Sequence, residues 1–166
     1  MKRLTVTEHV CMYGQFFLTD RDWAKAMRTQ FWSERTLRQG FMLGDAVIAF
    51  LLISDGIDGV SEIAEAGALA VSCEAGRAIL VPVKHRGGPL RVFDVMDPEP
   101  WLEVCRPAGD YGLLFESWVI GGERVGCRLT FIPGHVDVPR LLRADAALSP
   151  VRPLQVDGTP FGARDA

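Results

Sequence analysis

At 166 residues, 48% hydrophobic and 23% charged, the chain has the size and make-up of one ordinary globular domain. Its formal net charge of −3 lacks the basic footprint that direct nucleic-acid binding needs, and a basic protein partner fits it better. The longest unbroken apolar run, residues 46–53, is far too short to span a bilayer, so no membrane contact is expected.

In chain order, residues 3–19 read as one or two strands, with Gly14 as a bulge or kink. Residues 20–30 are polar and read as a loop or one short helix. Ser33 offers an N-cap, Glu34 lies in the first turn, Arg38 in the last, and Gly40 is a stop signal. A helix over 34–39 is predicted, with Leu37 and the preceding Trp32 facing the core.

Residues 46–54 have no polar face, so they predict a strand buried on both sides. Helix competes, but Val47, Ile48, Phe50 and Ile53 favour a strand. Residues 55–66 read as two turns followed by an acidic loop and edge. Residues 67–73 and 77–84 read as two strands. A turn at 85–89 joins the second of these to a strand over 90–96, as a hairpin. Residues 97–100, Asp-Pro-Glu-Pro, break the pattern.

Strands follow over 102–105 and 111–120, with a turn at Gly121-Gly122. Residues 124–132 alternate cleanly, with Val125, Cys127, Leu129 and Phe131 on one face. Arg124, Gly126, Arg128 and Thr130 occupy the other, which predicts a half-buried strand. A short helical piece is expected within 138–148. The Pro- and Gly-rich residues 151–166 read as a mobile tail. Seven to nine short strands with Gly/Pro turns predict an all-β, antiparallel β-sandwich with one or two short helices, forming a single domain over residues 1–150.

Chemistry has little local signature. The four cysteines, Cys11, Cys73, Cys105 and Cys127, form no CxxC pair and match no zinc spacing. No apolar leader follows Met1-Lys2-Arg3, so a cytoplasmic location with reduced thiols is expected. His9, His85 and His135 are far apart, and neither a metal site nor a cofactor is expected. Pairing Cys73 with His85, or Cys127 with His135, keeps a hydrolase-type enzyme as an alternative. A small-ligand-binding β module is another. The glycine pairs at 87–88 and 121–122 fit no phosphate-loop pattern.

One charge pattern stands out. From Gln39 to Gly76 there is no Lys or Arg, yet Asp45, Asp55, Asp58, Glu62, Glu65 and Glu74 all fall there. Asp55, Asp58, Glu62 and Glu65 are therefore candidates for a negative patch offered to a basic partner, and a solvated surface is the plainer reading. The Asp55-x-x-Asp58 spacing misses the calcium-loop pattern. Trp118 falls on the face opposite Leu113 and Phe115. It reads as an interface anchor or as a residue covered by the C-terminal segment.

The chain resembles the competence protein J family, whose type member inhibits a bacterial DNA-entry nuclease. The matching blocks are Tyr13-x-Gln15-Phe16, then Trp32-Ser33 with Leu37 and Gly40, leading into Gly44-Asp45-Ala46-Val47-Ile48-Ala49-Phe50. Val81-Pro82, the block Pro107-x-Gly109-Asp110-Tyr111-x-Leu113, and Trp118 follow, and 142–148 looks like the ending of longer members. The resemblance implies a non-enzymatic inhibitor or immunity protein that blocks a partner nuclease or secreted toxin. It marks Tyr13, Gln15, Trp32, Asp45, Asp110 and Tyr111 as binding or structural residues.

Overall fold

The computed structural model describes residues 1–10, 14–24, 28, 32–44, 47–53, 58–122 and 124–154. Two sheets pack face to face. The larger contains β1 (Lys2–Val10), β5 (Asp58–Glu65), β6 (Arg77–His85), β9 (Gly109–Gly121), β10 (Arg124–Pro133) and β11 (Arg140–Arg143), in the order β1-β5-β10-β9-β6-β11. The smaller contains β2 (Gln15–Thr19), β3 (Phe41–Leu43), β4 (Val47–Leu51), β7 (Gly88–Asp94) and β8 (Leu102–Arg106), in the order β3-β4-β2-β7-β8. The predicted β-sandwich is therefore present. All its strand pairs are antiparallel except β5 with β10, which run parallel.

The core between the sheets is built from alternate residues of each strand, as a period of two requires. Phe16 and Phe50 from the smaller sheet meet Phe115 from the larger, with Leu113, Leu129 and Phe131 around them. Strand β4 is buried on both sides, as its unbroken apolar run predicts. Ile48 and Phe50 face the main core, while Val47 and Ala49 join Phe17, Met42 and Phe93 beneath Trp23 and Trp32.

The helix α1 (Glu34–Gln39) begins and ends where its signals lie. Ser33 Oγ accepts from the Thr36 backbone N–H, and the Ser33 N–H donates back to Thr36 Oγ1. Gly40 closes the helix at φ +80°, a left-handed conformation that glycine adopts without a side-chain clash. The helix buries Thr36 and Gln39, whereas Leu37, expected in the core, is exposed. In so short a helix the caps at both ends set the rotation, and they turn Thr36 inward.

Four other elements differ from expectation. The acidic stretch 55–66 is mostly a strand: β5 lies between β1 and β10, not at an edge. Residues 67–73 form no strand. They fold over the outer face of the larger sheet, where Val71 joins Val136 and Ile132 in covering Ala78, Leu80 and Leu114. The helical piece expected in 138–148 is instead β11, paired with β6. Strand β10 is covered on both faces, since Arg128 and Thr130 are buried along with Leu129 and Phe131.

Residues 140–149 form a strap beside α1. Arg77, 2% exposed, donates from Nε to Asp145 Oδ2 at 2.5 Å and from Nη2 to Oδ1 at 3.0 Å. Its Nη1 donates to the Leu51 and Leu52 carbonyls at 2.7 and 2.8 Å. Arg143 donates to the carbonyls of Ser72 and Ala75, and the Ser149 N–H donates to Arg38 O at 3.0 Å. Leu148 packs on Gly40, where a Cβ would lie 2.9 Å from its Cδ2. Within the stretch read as a tail, Leu154 packs against the core and Arg35 donates to Pro153 O.

Candidate functional site

Of the four expected partner-binding carboxylates, the two whose side chains are described, Glu62 and Glu65, are each paired with arginines. Asp55 lies outside the described residues, and Asp58 opens β5 beside Arg124 in the register of β10. Glu62 is only 8% exposed and is engaged from two sides: Arg128 Nε donates to its Oε2 at 2.8 Å, and Arg3 Nη2 lies 3.0 Å from its Oε1. Arg128 also reaches Glu116, 1% exposed, whose Oε1 accepts the Ser72 N–H at 2.6 Å. Buried carboxylates of this kind persist because they are paired and hydrogen-bonded. Glu62 therefore neutralises arginines within the fold.

Glu65 is engaged similarly at the other end of β5. Arg106 donates to both of its carboxylate oxygens, at 2.9 and 3.3 Å, and this holds the Glu65 carboxyl below the usual carboxylate range. The same guanidinium lies 5.6 Å from the ring centres of Tyr111 and Phe131. Tyr111 meets Phe131 edge-on and donates from its hydroxyl to Pro107 O at 3.0 Å. Arg106 thus bridges the two sheets, from β8 to β5, and Tyr111 pins the turn that starts β9.

Trp118 remains on the outer face of the larger sheet, half-buried. Its indole lies over Gly126, where a Cβ would come within 2.3 Å of it, and Arg128 sits 5.3 Å from its ring centre. The segment that covers this sheet reaches Leu114 and Glu116 through Val71, Val136 and Ser72. Of the residues marked by resemblance, Tyr13 and Asp45 lie outside the described residues. Gln15 opens β2, Trp32 packs on the outer side of the smaller sheet, and Asp110 is exposed at the start of β9.

The possible catalytic pairs are not assembled. Cys127 is buried against Ser61 Oγ at 3.0 Å, and burial pushes its thiol up to about 12, so it is no nucleophile at neutral pH. His85 is buried at the far end of β6 from the Cys73 turn, with Nε2 3.1 Å from Arg106 O. His135 is exposed beside Asp137. Among the described residues no group of three or more His, Cys, Asp or Glu side chains is placed to hold a metal ion. Alkylation of the native protein, followed by peptide mapping, is expected to label the exposed Cys73 and Cys105 and to leave Cys127 unmodified until denaturant is added. Fast native labelling of Cys127 would contradict the buried-thiol account.

A cleft of about 300 Å³ opens beside the lower half of β6, beyond the reach of β11. Leu18, Leu43, Ile48 and Leu90 form its apolar wall, and Arg21, Lys84 and Arg86 lie around it. No thiol lines it. No helix among the described residues is long and apolar enough to cross a membrane.

These features define a two-sheet β-sandwich whose buried ionic groups are paired within the fold, some along one sheet and some between the two. Its loops and outer faces are what it offers to other molecules. The chain belongs to the competence protein J family, whose model, described as Competence protein J (ComJ), matches residues 8–132. Among solved structures it is similar to that of ComJ from Bacillus subtilis, an inhibitor of the DNA degrading activity of NucA. The two share 14% identity at a TM-score of 0.66, covering 80% of this chain and 98% of that one. At that identity the likeness speaks for the fold. None of the curated proteins compared with the chain matches it.

Proposed function

We propose that this protein inhibits a DNA-degrading nuclease by binding it, with no bond-making chemistry of its own. The observation that carries this reading is membership of the competence protein J family, joined to a fold shared with a solved inhibitor of a DNA-degrading activity. The physics of the chain is consistent with it. A sandwich with an aromatic centre and arginine bridges between its layers is stiff, and a stiff binder loses little conformational entropy on association.

Purified protein added to an extract of the source cells is expected to stop degradation of a fluorescently labelled DNA duplex. The block should saturate, and the target nuclease should co-elute with the inhibitor in gel filtration. Degradation that continues unchanged at a large excess of folded protein would rule the proposal out.

A further inference from the structure

The two ends of the sandwich differ in what they expose. The Ile53 N–H donates to Ser117 Oγ at 3.2 Å, which sets Ser117 level with the chain leaving β4. Val119 to Gly122, the β9–β10 hairpin, therefore projects at the end where β2 begins and β7 finishes. The β7–β8 loop, residues 95–101, emerges at that same end. Met96, Val119 and Ile120 are there 59%, 56% and 46% exposed. Asp97 and Glu99 are exposed beside Met96, and neither the loop nor residues 119–122 contain a cation. The next cation along the hairpin, Arg124, is paired with Glu8 at 3.2 Å.

The loop is built to hold its shape. Asp94 Oδ1 accepts the Met96 N–H at 2.7 Å, and Asp97 Oδ1 accepts the Glu99 N–H at 2.9 Å. The Trp101 N–H donates to Val92 O at 2.8 Å, and its indole packs 6.2 Å from Phe16 in the core. Pro98 and Pro100 restrict the backbone between these anchors. Met96 and Glu99 are thus presented by a segment tied at both ends. The opposite end of the molecule has a different character, with Arg21, Lys84 and Arg86 around the cleft beside β6 and Asp20 next to Arg21.

We propose that the hairpin end is the docking surface for the nuclease, and this rests on the inhibitor reading above. A cleft that receives DNA must be lined by cations, because each phosphate carries a negative charge. The opposite end mixes Arg21, Lys84 and Arg86 with Asp20 and Asp110, a surface of both signs that matches such a cleft less well. At the hairpin end, Glu99 and Asp97 meet the arginines and lysines that otherwise hold phosphates, and Met96, Val119 and Ile120 supply the dry contact around them. The carboxylates of Glu62 and Glu65 take no part, being already bound to arginines.

The test uses the labelled-duplex assay with wild type, Met96→Ala/Glu99→Arg, Ile120→Ser and, as the control at the opposite end, Arg86→Glu. Thermal melts confirm that each is folded. Half-inhibition is expected to require on the order of 100-fold more of the Met96→Ala/Glu99→Arg protein and on the order of 10-fold more of Ile120→Ser, while Arg86→Glu stays within about twofold. Added salt should weaken inhibition by wild type more than by Glu99→Gln. Wild-type inhibition retained in full by the folded hairpin-end variants overturns the docking surface and leaves the inhibitor reading standing. So does inhibition lost in Arg86→Glu alone. Wild type that inhibits no DNA degradation overturns both.

Discussion

Replacing Arg77 with Ala is expected to lower the free energy of unfolding by about 3–5 kcal/mol, the usual loss when one partner of a buried ion pair is removed. The side chain is 2% exposed and makes four hydrogen bonds, two to Asp145 and one each to the Leu51 and Leu52 carbonyls. Alanine leaves a carboxylate and two carbonyls without their donor and opens a cavity. Lysine offers one ammonium where a planar fork is needed, so Arg77→Lys is expected to recover only part of the loss. Urea denaturation at neutral pH reads the effect, and a change under about 1 kcal/mol would mean the pair contributes little beyond its own desolvation.

Acid gives a second view of the same pair. Burial raises the Asp145 carboxyl, but the hydrogen bonds and charge of Arg77 outweigh it and hold the group below its ordinary value. A depressed folded-state value means the unfolded chain takes up the proton first. The stabilisation is therefore fully present above about pH 4, where an unfolded Asp is ionised, and is lost as pH falls toward the folded value. Wild type should lose stability in that range more steeply than Asp145→Asn. Parallel curves would detach the pair from the acid response.

Phe115→Ala is expected to cost about 3–5 kcal/mol as well, by a different mechanism. Phe115 stacks on Phe50 with ring centres 4.5 Å apart and an interplanar angle of 19°, and meets Phe16 at 5.7 Å and 61°. These three rings join β9 to β4 and β2, so the void would open at the contact between the sheets. Phe115→Leu should lose less, because it refills part of the volume. Urea midpoints for the two variants decide the matter, with near-ultraviolet circular dichroism reporting the aromatic packing. Equal losses for alanine and leucine would show that ring stacking, and not volume, is what matters there.

Much of the fold was legible from local patterns. The unbroken apolar run at 47–51, the caps at Ser33 and Gly40, and the Gly121-Gly122 turn each carry their own structural cause in a few adjacent residues. Contacts between distant segments were not legible. The acidic stretch became β5 because Arg3, Arg106 and Arg128, all remote in sequence, neutralise Glu62 and Glu65. Alternation in β10 suggested a solvent face, but nothing local announces that Glu62 and Glu116 lie on either side of Arg128. Residues 67–73 looked like a strand from composition, yet their apolar side chains serve as a cover for another sheet. The reading of Trp118 as outward came from strand parity alone. Its seat on Gly126 needed the register between β9 and β10. The family blocks were visible in order, but resemblance marked Tyr111 without telling a packing role from a binding one.

The strap also bears on how the molecule is made. Asp145 lies beyond the stretch the family model matches, and Arg77 is completed only by it. On the ribosome, β6 emerges long before that carboxylate does, so for much of synthesis the guanidinium has no counter-ion waiting. The sandwich consequently becomes fully sealed only once the strap that follows β10 has been delivered, and a chain cut off after β10 would emerge with an unmatched charge at its mouth.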